Sequence, residues 1–220
     1  MLSKLPTLLR QASLCLAFTS AIAMASPTAQ AAVVYNNLGA AASGSDPIYS
    51  YGPLANSFTT GADGGTLRGV QALLMNLGPN VVGNVQVNLL SSNGAAPGST
   101  LLSLGSLSSA DIASSGFQSY SFAATSAYDL SANTTYWVQI LAADLNAIQW
   151  SFTSDLSGAG VAGESSYSAA FGVSPNASAA LDGFGPYQMA VEVPEPRSLA
   201  LVSLGLIAVV WVRRRSASQL

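Results

Sequence analysis

An all-β fold, an antiparallel β-sandwich or jelly roll, is predicted for the middle of this 220-residue chain by three observations. Apolar residues recur there with period two, no segment sustains a helical pattern, and short runs are separated by clusters of Gly, Pro, Asn and Ser. An N-terminal signal peptide and one C-terminal transmembrane helix frame this domain, dividing the chain into residues 1–31, 32–193 and 194–215.

The strands follow in order. Residues 33–36, 56–59 and 67–75 are the first three expected, rich in Val, Leu, Phe and Thr. Residues 84–91 place Val85, Val87 and Leu89 on one face and Gln86 and Asn88 on the other, the pattern of a half-buried strand. Short strands at 101–104 and 117–122 come next. In residues 135–142 Trp137, Gln139 and Leu141 alternate with Tyr136, Val138 and Ile140; large apolar groups on both faces point to a central strand. Residues 148–152, 166–171 and 187–191 complete the set of ten. Turns are expected at Gly78-Pro79-Asn80, Asn93-Gly94, Ala96-Pro97-Gly98 and Ser131-Ala132-Asn133.

The two ends carry different signals. Lys4 and Arg10 precede an apolar run from Leu14 to Met24, and Ala29-Gln30-Ala31 supplies small residues at positions 29 and 31, the layout of a secretory signal peptide cut after Ala31. At the other end, Pro194-Glu195-Pro196 is followed by an uncharged stretch over 198–212 and by Arg213-Arg214-Arg215. Flanked by Arg197 and the arginine cluster, that stretch is just long enough for a transmembrane helix. The arginines are expected to stay cytoplasmic, leaving 32–193 outside the membrane.

This three-part tail resembles the PEP-CTERM sorting signal of Gram-negative bacteria: a Pro-Glu-Pro triplet, a short transmembrane helix and a basic cluster. The resemblance implies recognition by an exosortase, a membrane transpeptidase that cuts near the triplet. The expected route is export by the general secretory path, transient anchoring in the inner membrane, and release to the cell surface or extracellular matrix. Such tails imply a setting of exopolysaccharide, biofilm or floc. Within the domain, Val34-Tyr35-Asn36-Asn37-Leu38, Ala55-Asn56-Ser57-Phe58-Thr59, Leu67-Arg68-Gly69-Val70, Ala96-Pro97-Gly98-Ser99 and residues 130–137 resemble the choice-of-anchor R domain over nearly all of 33–152. That resemblance implies surface location and assigns neither ligand nor catalysis.

Charge and composition exclude several classes. Only 8% of the chain is charged, and histidine is absent. The single cysteine, Cys15, falls in the expected signal peptide. Ser-His-Asp triads, Cys nucleophiles, zinc sites built on His or Cys, and disulfide scaffolds are thereby ruled out. Between residues 32 and 193 nine carboxylates face one base, Arg68, a net charge of −8 with no footprint for nucleic acid.

Two site types stay open. Tyr49 and Tyr51, in a Gly/Ser/Pro-rich segment, and Phe184 and Tyr187, around Gly183 to Pro186, are candidate glycan-stacking rings if exposed on loops. Trp137 and Trp150 are assigned to the core instead. Asp144 and Asn146 flank Leu145 in an expected turn, and with Asp129 or Asp155 they are candidate oxygen ligands for calcium; otherwise they serve turn backbones. No firm metal or cofactor site and no catalytic residue emerges.

The expectation is therefore a non-catalytic surface or matrix protein, structural or adhesive in exopolysaccharide. A carbohydrate-binding module on exopolysaccharide is the first alternative. A secreted glycan-active enzyme using a carboxylate pair is the second.

Overall fold

A computed structural model describes residues 31–48, 52–62, 64–78, 83–142, 147–161, 166–168, 180–182 and 185–194. They belong to a compact unit spanning Ala31–Glu195. The expected signal peptide up to Gln30 and the expected helix over 198–212 lie outside the described residues. Among the described residues no helix is long and apolar enough to cross a membrane.

The fold is antiparallel β throughout, as the sequence predicts. Strands run β1 (Ala31–Asn36), β2 (Gly44–Pro47), β3 (Leu54–Thr59), β4 (Gly65–Thr66), β5 (Gly69–Asn76), β6 (Asn84–Asn93) and β7 (Ala96–Ser108). They continue as β8 (Gln118–Ala123), β9 (Asp129–Leu130), β10 (Thr135–Ala142), β11 (Ile148–Phe152), β12 (Ser166–Ser168), β13 (Ala180–Asp182) and β14 (Met189–Pro194).

Two six-stranded sheets share one core. In the first, β5 has β8 along one edge, while β14 and β11 divide the other, and β1 and β2 extend the sheet beyond them. The second has the order β13-β12-β3-β10-β6-β7, and β4 and β9 form a separate ribbon. Val70, Ala72, Leu74, Ile148, Trp150 and Val191 of the first sheet pack into the same buried cluster as Leu54, Phe58, Val85, Val87, Leu89, Val138 and Ile140 of the second.

Period-two alternation produces this core directly. Val85, Val87 and Leu89 are fully buried, whereas Asn84 and Gln86 are exposed. In β10 the inward set is Tyr136, Val138 and Ile140. Trp137 is also buried, but on the opposite face, in a small cluster with Ala55 and Leu90 and with its indole N–H donated to Ser92 Oγ at 3.2 Å. Both faces of this central strand are thus covered at that point.

Two expected boundaries shift. Ala96-Pro97-Gly98 opens β7 instead of turning the chain, because Gly94 at φ +63° already closes the β6–β7 hairpin and Pro97 pairs with Ser92 on an edge strand. Strand β2, built from Gly-Ser-Asp-Pro, carries no strand signal in its sequence. It is an edge strand whose Gly44 lies under the Phe152 ring: a Cβ there would stand 2.5 Å from Phe152 Cζ and require that ring to shift.

Candidate functional site

The last described strand, β14, which leads into the C-terminal tail, is paired along both edges, with β1 on one side and β5 on the other. Its inward residues Met189, Val191 and Val193 are buried in the core. Between them Glu192 faces outward, accepting a 2.6 Å hydrogen bond from Gln71 Nε2, while its carbonyl accepts from the Arg68 backbone N–H at 2.9 Å. Pro194, first residue of the triplet, ends the strand, where its missing N–H breaks no interior ladder.

The other end of the unit lies alongside. Ala31 is the register partner of Pro194, Ala32 of Val193, and Val33 of Glu192. Ala31, the expected cleavage residue, is thus the first residue of β1; Ala29, Glu195, Pro196, Arg213, Arg214 and Arg215 lie outside the described residues.

A buried polar network fastens the segment entering β14. Asn56 Oδ1 accepts from the Tyr187 N–H at 2.8 Å, and its amide donates to Tyr35 Oη at 3.1 Å. Asn37 accepts from the Met189 N–H at 2.7 Å and donates to the Tyr187 carbonyl at 3.1 Å. Ser151 donates to Gln188 Oε1, and the Trp150 indole N–H donates to the Gln188 carbonyl at 2.9 Å. Among the described residues no buried side-chain nitrogen or oxygen lacks a hydrogen-bond partner, as a low-dielectric interior requires.

That network corrects the expectation for Tyr187. It is no exposed loop ring: it is fully buried, stacked on Trp150 with centroids 4.7 Å apart, and its phenol donates to Asp46 Oδ2 at 2.8 Å. Burial and stacking consume both ring faces and the hydroxyl, so it offers nothing to a glycan. Trp150 is in the core as expected. Tyr49, Tyr51 and Phe184 lie outside the described residues.

Of the carboxylates considered for calcium, Asp129 and Asp155 are among the described residues. Asp129 is exposed on β9 and accepts from Thr66 Oγ1 at 2.6 Å. Asp155 is exposed on a turn, where hydrogen bonds from the Ser157 side chain and backbone N–H hold its carboxyl below the usual aspartate value. This is turn chemistry. Asp144 and Asn146 lie outside the described residues, and within those described no three of His, Cys, Asp and Glu come together.

One surface feature was missed by sequence reasoning. A groove of about 430 Å³ opens on the outer face of the second sheet, lined by Asn84, Gln86, Ser103, Gly105, Ser106, Leu141 and Ala142. Alternation in β6 gives the outward direction of Gln86, but the register that sets it beside Ser106 and Leu141 is a long-range property no local pattern carries.

Comparison with known proteins finds no match among curated proteins. Residues 192–215 match the family model described as the PEP-CTERM protein-sorting motif, which begins at Glu192, inside β14. The motif implies export, processing by an exosortase and sorting to the surface of a Gram-negative cell. By this tail, continuous with the last strand of its β domain, the chain is a PEP-CTERM protein.

Proposed function

We propose that the domain over 32–193 is a non-catalytic structural or adhesive component of an exopolysaccharide matrix. In this account the chain is exported through its signal peptide, held briefly in the inner membrane by residues 198–212, and freed when the exosortase cuts near Pro194-Glu195-Pro196. The observation that carries the proposal is the anchoring of the sorting tail. A protein that bears load in a matrix through one end needs that end rooted in its core, and β14 is laddered on both edges with Met189, Val191 and Val193 buried. The acidic, hydroxyl- and amide-rich composition supports the same role: with one base among residues 32–193, the domain is suited to a hydrated polymer and unsuited to nucleic acid or anionic lipid. The resemblance to the choice-of-anchor R domain points to the same location.

The test uses a strain lacking the gene and the protein recovered from the extracellular fraction. Loss of matrix cohesion, restored by the full chain but not by a chain lacking residues 194–220, is the expected result. Protein incubated with the producer's polysaccharide is expected to release no reducing ends; steady release would replace this reading with a secreted glycan-active enzyme.

A further inference from the structure

The groove on the second sheet is built by a local break in the β6–β7 ladder. Gln86 pairs with Ser106 and Asn88 with Ser103, so β7 carries one residue more than β6 across this interval. The extra residue is absorbed at Gly105, whose φ of +88° is left-handed, while Leu104 beside it stays fully buried in the core. This is a β-bulge, a device that bends a strand and re-aims its side chains. No atom lies within 4 Å of where a Cβ on Gly105 would stand, so the groove reaches the bare backbone there.

The lining has one consistent chemistry. Asn84 and Gln86 present amides, Ser103 and Ser106 hydroxyls, and half-buried Leu141 of β10, the register partner of Gln86, adds one apolar surface. Gln86 Nε2 donates to Asn88 Oδ1 at 3.3 Å, which fixes the orientation of the Gln86 amide. Among the described residues that line the groove none is charged, in a domain that carries nine carboxylates. Amides both donate and accept, as do hydroxyls, which matches the hydroxyls of a sugar, while a leucine covers its C–H face. An anion finds no cation among these described residues, and an apolar ligand would strip water from four polar side chains. The volume lies within the roughly 300–1,000 Å³ typical of small-ligand sites.

We infer that this groove binds a segment of a neutral polysaccharide, one or two sugar units seated over Gly105 between Gln86, Ser106 and Leu141. The inference rests on the matrix reading above and deepens it by placing contact with the polymer on a sheet face instead of on loop aromatics.

The test is affinity electrophoresis of the protein recovered from the exporting cell, in gels containing dextran, a β-1,3-glucan, a β-1,4-glucan, the producer's own polysaccharide, or alginate as the anionic control. Ser106→Trp fills the groove from an exposed position, and Gln86→Ala removes one amide; Gln118→Ala, on exposed β8 of the other sheet, is the control. Retardation by at least one neutral polymer is expected, weakened about tenfold or more by each groove variant and unchanged in the control, as loss of one or two hydrogen bonds implies. Unchanged melting of each variant separates binding from folding. Equal retardation of native and groove variants, retardation by alginate alone, or none by any neutral polymer would overturn the inference. Retardation by the producer's polysaccharide that ignores the groove variants, together with lost cohesion in the deletion strain, would refute the groove and leave the matrix reading standing.

Discussion

Val193 stands opposite Ala32 in the β1–β14 ladder, so the two ends of the compact unit run side by side along one sheet. The sorting tail therefore departs from a strand that the first residues of the domain help to hold. Tyr35 is the heaviest contribution of β1 to that hold: it is fully buried and its hydroxyl accepts from Asn56.

Tyr35→Ala should cost about 3–5 kcal/mol, the range for emptying a large aromatic site. Val33→Ala, at a residue 46% exposed on the same strand, should change stability by less than about 0.5 kcal/mol. Urea denaturation of the two variants checks the contrast.

Tyr187→Phe keeps the ring on Trp150 and deletes only the phenol that donates to Asp46. A hydrogen bond to a buried carboxylate is worth about 1.5–3 kcal/mol, and a loss of that size is expected with the near-ultraviolet signature of Trp150 retained. Equal stability of variant and native protein would show that the Asp46 contact contributes nothing.

Gly160 sits at φ +67°, and a Cβ there would run into the Val34 carbonyl, beside the register shift between Val33 and Tyr35 in β1. Gly160→Ala should destabilise by at least about 1 kcal/mol, from the left-handed backbone alone, and more if β1 is displaced. Thermal unfolding measures it, with Gly39→Ala, where nothing lies within 4 Å, as the tolerated comparison.

Asp155 has its folded-state pKa lowered, first by the Ser157 side chain and then by its backbone N–H. A lowered carboxylate pKa adds stability that is fully present above the unfolded value and lost as pH falls through the folded one. The window is acidic, below the ordinary aspartate range. Carboxyl NMR should give Asp155 a midpoint below that range, and Ser157→Ala should raise it part of the way, leaving the backbone bond in place.

The local layer of this fold was legible in the sequence and the long-range layer was not. Val85, Val87 and Leu89 point inward because alternation demands it. Trp137 shows the limit: with large apolar groups on both faces of β10, periodicity cannot say which face meets the main core, and the indole lies on the other one. Tyr187 followed the same logic to a different end. Its neighbours Gly183 to Pro186 read as a loop, and its burial depends on Asp46, Asn56 and Trp150, which are remote in sequence. Strand β2 was invisible because Gly-Ser-Asp-Pro is turn composition; pairing with β11 makes it a strand. The groove escaped for the same reason, since its bulge at Gly105 exists only in the register between β6 and β7. The sorting motif was legible, because its recognition depends on a contiguous order of residues.

The most direct test of the account is the intact mass of the protein recovered from the cell surface or matrix. The account predicts a chain that still contains Val193, since β14 is part of the core, and that has lost Arg213, Arg214 and Arg215 with the rest of the tail beyond the cut. A mass that retains the chain through Leu220 would contradict exosortase processing and leave residues 194–220 as a simple anchor.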